Sequence, residues 1–150
     1  MRVILQRVSE ASVTVDNKTI SRINHGFLIL LGIEEADSQE DIDWLVGKIS
    51  KMRVFDDNEG KMNLSILDRS GEALVVSQFT LHASTKKGNR PSFIKAARPD
   101  HAAPLYQKFC DALSQLLGKQ VGQGSFGAMM RVALTNDGPV SIVMDSQNRE

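Results

Sequence analysis

The chain contains a single cysteine, Cys110, in 150 residues. One cysteine excludes a disulfide within the chain and a thiolate-rich metal site, and it fits a reducing, cytoplasmic location. No apolar run approaches the roughly 18 residues of a membrane helix. Arg2, Gln6, Arg7 and Glu10 break up the start, so no secretory leader is expected. Formal net charge is zero, which argues against a generic polyanion binder. Several catalytic spacings are also missing. There is no G-x-S-x-G nucleophile elbow. His25, His82 and His101 lack the spacing of metal ligands on a helix, so no metal is expected. The acidic stretch Phe55 to Gly60 reads as a loop without the spacing of a calcium-binding EF-hand. With no repeat or linker, a single domain over residues 1–150 is expected.

Charge is present but unevenly placed. Residues 34–43 hold Glu34, Glu35, Asp37, Glu40, Asp41 and Asp43 and no base. Residues 82–98 hold Lys86, Lys87, Arg90, Lys95 and Arg98 and no acid. Such runs are usually solvated faces, yet local fields steer partners even where the sum is zero.

Apolar periodicity predicts the elements. Met1 to Val15 reads as strand, with a phase shift between Leu5 and Val8 that suggests a bulge or bend. Asp16-Asn17 turns the chain into a hairpin partner, Lys18 to Ile23. Phe27 to Leu31 is a third strand between glycines. Ser38 with Asp41 resembles a capping box, and Ile42, Leu45, Val46, Ile49 and Met52 follow helical spacing, with Trp44 offset from them. Asp100 is expected to cap a second helix whose stripe includes Leu105, Phe109 and Leu113, with Cys110 packed beside it and Gly118 ending it. Met129 to Leu134 and Val140 to Met144 read as two strands joined by a turn at Asn136-Asp137-Gly138-Pro139. The tail from Asp145 is expected to fray. The whole implies α+β, with a curved or barrel-like sheet and two main helices.

Residues 74 to 81 stand out. Leu74, Val75 and Val76 read as a buried strand after the turn Ser70-Gly71. Ser77, Gln78 and Thr80 then bring three hydrogen-bonding side chains to its end, around Phe79. Each buried polar group without a partner costs roughly 1–3 kcal/mol. Either the three satisfy one another, or a substrate supplies the partners. If the strand continued, alternation would place Thr80 and His82 on one face, so a small esterase built on that pair is conceivable. Gly122-Gln123-Gly124-Ser125-Phe126-Gly127 matches the dinucleotide fingerprint, but it follows a helix and precedes a strand, the reverse of what that fingerprint requires. Its glycines instead allow a bend or a close approach to a ligand. Gly138-Pro139 presents carbonyls with no side chain to move aside, which suits rejection of a ligand by shape.

Taken together, Ser77-Gln78-Phe79-Thr80-Leu81, Lys87-Gly88-Asn89-Arg90-Pro91-Ser92-Phe93, Gly124-Ser125-Phe126-Gly127-Ala128-Met129-Met130 and Asn136-Asp137-Gly138-Pro139-Val140 resemble the D-aminoacyl-tRNA deacylase family. The start, Met1-Arg2-Val3-Ile4-Leu5-Gln6-Arg7-Val8, is similar as well. Ser141 stands where the family usually has Thr, which keeps the hydroxyl. The resemblance implies a barrel-like α+β homodimer with active sites at the interface. It implies a carboxylic ester hydrolase that cleaves the D-amino acid from the 3′-terminal adenosine of tRNA, and glycine from tRNA(Ala), as chiral proofreading of translation. It implies a cis Gly138-Pro139 step that reaches into the partner subunit's pocket and rejects L-aminoacyl groups. No metal or organic cofactor is implied.

The residue chemistry is compatible with that reading. An aminoacyl ester is already activated, so positioning water and holding an oxyanion are the main tasks. Ser77, Gln78, Phe79 and Thr80 are the catalytic candidates, with backbone N–H groups near Phe79 and Thr80 as oxyanion donors. Phe126, Met130 and Ala102 are candidates for the adenosine pocket. Lys86, Lys87 and Arg90 are candidates for acceptor-stem phosphates. Two alternatives stay open: a catalytically silent tRNA- or RNA-binding module, and a tRNA-independent esterase using Thr80 and His82.

Overall fold

The first strand, β1 (Arg2–Val15), is the spine of the molecule, and the computed structural model describes it and every other residue from 1 to 150. Its Arg2–Val8 half pairs antiparallel with β3 (Gly26–Gly32). Its Ala11–Val15 half pairs with β2 (Lys18–Ile23) across the Asp16-Asn17 turn. Both turn residues have left-handed φ angles, 47° and 62°, as a two-residue hairpin on right-twisted strands requires. The expected bend lies between the halves: pairing with the last strand slips between Gln6 and Val8 and again between Val8 and Glu10.

Strand β3 pairs in parallel with β6 (Glu72–Ser77). Between them come helix α1 (Gln39–Lys51) and a short hairpin, β4 (Phe55–Asp56) and β5 (Met62–Leu64), which flanks the predicted acidic loop. The box at α1 is formed: the Asp41 carboxylate accepts the Ser38 N–H at 2.8 Å. Helix α2 (Pro99–Leu117) begins two residues earlier than an Asp100 cap would dictate, with Arg98 as the capping residue and Pro99 in the first helical position. Proline suits that place because its missing N–H would have no helical acceptor. Gly118 closes the helix at φ 66°. Strand β7 (Gly122–Gln123) then pairs in parallel with β6. No helix is long and apolar enough to cross a membrane.

The all-apolar runs in β3 and β6 have a simple cause: both faces are buried. Phe27, Ile29, Leu31, Ala73 and Val75 face α1 and α2. Leu28, Leu74 and Val76 face inward, where Val8, Ala11, Val13 and Ile23 fill the barrel. Cys110 lies in the helix-side core, and burial pushes its thiol up to about 12. It is packing, as expected, and not a nucleophile.

The expected strand Leu74 to Val76 lies within β6, which ends at Ser77; it does not continue to His82, because Phe79–His82 forms a 3-10 turn. Two expectations fail. The two predicted C-terminal strands are one, β8 (Arg131–Asp145), antiparallel to nearly all of β1. Its partners jump from Gln6–Ser141 to Val8–Asn136, so Asp137 to Val140 bulge out opposite Arg7. The local turn signal is thus absorbed as an extruded loop inside a strand. The tail is also anchored. Ser146 is buried, Gln147 donates to Asp41 at 2.9 Å, and the Arg149 guanidinium stacks 4.8 Å above Trp44.

The closeness of β3 to β6 gives a test. A Cβ on Gly26 would fall 1.8 Å from the Glu72 carbonyl oxygen, whereas one on Gly47 in α1 meets nothing within 4 Å. Gly26→Ala should therefore cost about 3 kcal/mol or more. Gly47→Ala should stabilise by about 0.5–1 kcal/mol. Urea denaturation of the two variants checks both signs.

Candidate active site

The last bond in line with the β3–β6 ladder runs from the Gln78 N–H to the Leu31 carbonyl, 2.8 Å. Beyond it the chain leaves the sheet and coils into the Phe79–His82 turn. A helical turn leaves its leading N–H groups without acceptors of its own, and here those belong to Phe79 and Thr80. The Gln78 amide nitrogen donates to the Thr80 hydroxyl at 2.5 Å. The amide nitrogen can only donate, so the hydroxyl accepts and keeps its own proton to give. Two of the three polar side chains thus satisfy each other, and Thr80 retains a free donor.

Ser77, Gln78 and Phe79 form one wall of a cleft of about 680 Å³. Ala102 of α2, with Phe126 and Met130, forms another. The catalytic and adenosine-pocket candidates other than Thr80 are therefore gathered around one cavity, and Thr80 is bonded to its wall through Gln78. The placement of Phe126 has a clear origin. The Tyr106 hydroxyl donates to the Val75 carbonyl at 2.8 Å, and its ring rests 5.8 Å from that of Phe126. Burial raises the Tyr106 hydroxyl well above its ordinary pKa, so it stays a donor. The glycine-rich segment packs closely on its neighbours. Gly124 donates to the Val75 carbonyl at 3.0 Å, and a Cβ there would lie 2.8 Å from the Met130 sulfur.

The Thr80–His82 pair does not form. Both lie in the 3-10 turn, where strand alternation no longer applies. His82 is buried at 2% exposure, neither ring nitrogen has a hydrogen-bond partner, and the nearest acid is Glu34 at 3.9 Å. Neither His82 nitrogen therefore bonds the Thr80 hydroxyl, whose side-chain partner is Gln78. No three His, Cys, Asp or Glu side chains converge anywhere.

Lys86, Lys87 and Arg90 are exposed in the irregular segment after the turn and do not line the cleft. That segment is folded back on itself by reciprocal bonds between Ser84 and Ser92, 2.8 and 3.0 Å. Gly138 and Pro139 lie at the exposed tip of the extruded loop in β8, and their peptide bond is cis. They do not line the cleft. Arg7 pairs with Phe27, and Ser77 pairs with Leu31. Four residues at about 3.3 Å each put the loop and the cleft about 13 Å apart along the strands alone.

Sequence reasoning missed what holds this loop. Arg7 is only 6% exposed. Its Nε donates to the Asp137 carbonyl at 2.9 Å and its Nη1 to the Val54 carbonyl at 2.6 Å. The only signal was a charged residue at the phase shift of an apolar strand. The neck of the loop is closed by Asn136, whose side-chain oxygen accepts the Val140 N–H at 2.9 Å and whose nitrogen donates to the Ser141 hydroxyl at 3.0 Å. Serine supplies there the hydroxyl that matters.

Known proteins share both this fold and this sequence. Residues 4–145 match the family model for D-Tyr-tRNA(Tyr) deacylase. The chain is 62% identical over its full length, and over all of theirs, to proteins named D-aminoacyl-tRNA deacylase from Bacteroides thetaiotaomicron and Flavobacterium johnsoniae. The solved structure of a protein named c-Myc DNA Unwinding Element Binding Protein superimposes with a TM-score of 0.92 at 41% identity, covering 97% of this chain and 98% of that one. A probable eukaryotic D-amino acid tRNA deacylase shares the fold, with a TM-score of 0.82 at 21% identity over 95% of this chain and 97% of that one. A full-length match at this identity admits one conclusion: the chain belongs to the D-aminoacyl-tRNA deacylase family.

Proposed function

We infer that this protein hydrolyses the ester between a D-amino acid, or glycine, and the 3′-terminal adenosine of tRNA. The observation that carries the reading is the cleft at the end of β6, walled by Ser77, Gln78 and Phe79, in a chain of that family. The adenosine rests against Phe126, Met130 and Ala102. Water attacks the ester carbonyl, and the charge that develops on its oxygen is met by the Phe79 and Thr80 N–H groups. The Thr80 hydroxyl, held as a donor by Gln78, orients water or the same oxygen. Collapse of the tetrahedral intermediate breaks the bond to the ribose 3′-oxygen. The proton lost by water ends on that oxygen, with the ribose 2′-hydroxyl as the relay. No protein base is required, which accords with the position of His82.

A second copy of the chain completes the site in this reading. The Gly138-Pro139 loop is too far from the cleft of its own chain to touch a ligand there. β8 pairs on one side only and offers a long free edge for association. The filter works by rejection. Every L-residue directs its Cβ into one region whatever lies beyond, so a fixed main-chain block serves against all of them. Glycine has no Cβ and passes. Lys86, Lys87 and Arg90 meet phosphates of the acceptor stem. The 41%-identical relative is named as a binder of a DNA unwinding element, and a nucleic-acid affinity in so similar a chain supports this role for the basic segment.

Matched D-, L- and glycyl-tRNA substrates test the activity. The D- and glycyl-esters should be cleaved and the L-ester left intact. Equal rates on both enantiomers would overturn the filter, and tRNA binding without turnover would leave an RNA-binding module. Thr80→Ala should lower kcat on the order of 10²-fold, as loss of one oxyanion donor does, far short of the about 10⁶ typical of a lost nucleophile. An acyl group trapped on Thr80 in rapid-quench mass spectrometry would contradict this. Replacing Lys86, Lys87 and Arg90 together by Ala should flatten the log–log salt dependence of tRNA affinity by up to about 0.7–0.9 per lost phosphate contact. An unchanged slope would assign the segment to another role.

A further inference from the structure

Exposed apolar side chains gather at the cleft: Phe79, Phe93 and Met129 line it, and Ile94 follows Phe93 in the chain. Phe93 stands 36% exposed, with its ring edge-on to Phe79 at 5.2 Å and 76°. Phe79 itself is 54% exposed, and Ile94 and Met129 are each 92% exposed. This is not the slack of a loose loop. The backbone beneath is pinned: Ala96 donates to the Phe93 carbonyl at 3.0 Å, Ala97 to Ile33 at 2.9 Å and Arg98 to the Glu35 carboxylate at 2.9 Å. Ordered backbone that holds adjacent apolar groups in water marks an interaction surface.

The charge around it narrows the partner. Residues 82–98 contain five basic side chains and no acid, and none of the five takes part in an ion pair. Lys95 and Arg98 follow the Phe93–Ile94 step in sequence, and Arg98 also lines the cleft. Aromatic and apolar faces beside unpaired cations are what single-stranded nucleic acid binds: bases stack on the faces and phosphates meet the cations. A cleft of about 680 Å³ accommodates one aminoacylated nucleoside, so the nucleotides that precede it lie outside the cleft.

We propose that Phe93 and Ile94 form a stacking platform for the unpaired nucleotides immediately before the terminal adenosine, with Lys95 and Arg98 taking their phosphates. The proposal rests on the reading of the cleft as an aminoacyl-adenosine site and adds how the single-stranded end is led into it. Such a platform is indifferent to base identity, because every base has a face. It gives the enzyme a hold on RNA near the scissile bond that does not depend on the amino acid.

The probe is a short single-stranded RNA ending in adenosine, with 2-aminopurine in the penultimate position. Binding should quench its fluorescence. Phe93→Ala combined with Ile94→Ser should abolish the quench and weaken affinity roughly 5- to 150-fold, the range for losing one stacked base, whereas Phe93→Trp should retain both. In turnover the double variant should raise KM for aminoacyl-tRNA more than for aminoacyl-adenosine, which has no preceding nucleotides. Quenching that survives the double variant, or equal KM increases on the two substrates, would overturn the platform. So would conversion of a dimer to a monomer by these substitutions in sedimentation, since the patch would then be covered by a second copy. Wild-type protein that quenches the probe but releases no amino acid would support the platform while refuting the hydrolase reading.

Discussion

The parallel pairing of β3 with β6 is the constraint on which the rest depends. Both strands are buried on both faces, so their register cannot slip without moving apolar side chains to the wrong side. That register decides where the pairing ends. The Gln78 N–H makes the final bond, to Leu31, and the very next residues turn away with N–H groups unspent. The site is therefore positioned by the sheet rather than by its own side chains. Tyr106 strengthens the same point, since it bonds the Val75 carbonyl of β6 and its ring backs Phe126. One strand end thus fixes both walls of the cleft.

The second fixed feature, the Gly138-Pro139 loop, is held from the opposite end of the barrel. An extruded loop in an edge strand would ordinarily be soft. Here a buried guanidinium spans it, bonding Asp137 and Val54 at once. A buried charge is costly unless its donors are met, and Arg7 meets them with carbonyls and with the Asp137 and Asp56 carboxylates at 3.5 and 3.4 Å. The arginine and the loop stabilise each other. The block proposed here, which would reject by shape, has to be rigid, and this arrangement makes the main chain itself the rigid part.

Much of this was legible in the sequence because it is local. The Asp16-Asn17 hairpin, the Ser38–Asp41 box, the stripes of both helices and the polar cluster at Ser77 to Thr80 each depend on residues a few positions apart. Most of the failures are non-local. Asn136-Asp137-Gly138-Pro139 carries every mark of a turn between strands, yet β1, some 130 residues away in sequence, accepts both flanks as one strand. The tail is polar by composition, but Gln147 finds Asp41 and Arg149 finds Trp44. Strand periodicity pairs Thr80 with His82, but the chain has already left the strand. The resemblance pointed to the Gly-Pro step and the candidate catalytic segment, but nothing in the pattern of residues revealed Arg7 as the support.

The scarcity of reactive side chains in the cleft is itself informative. The one cysteine is buried with its thiol pushed up to about 12, and the histidine of the 3-10 turn is sealed beneath it. A hydrolase for amides or unactivated esters could not work with so little, because it would need a strong nucleophile and a base to raise it. An aminoacyl ester needs neither, and backbone donors in a fixed frame supply the transition-state stabilisation that remains. Backbone donors also impose no demand on the amino acid's side chain. A broad range of D-residues and glycine can then share one site, while a backbone block decides chirality. Both halves of the proposed specificity are thus assigned to main chain, which explains why the structure invests its buried polar contacts in holding backbone still.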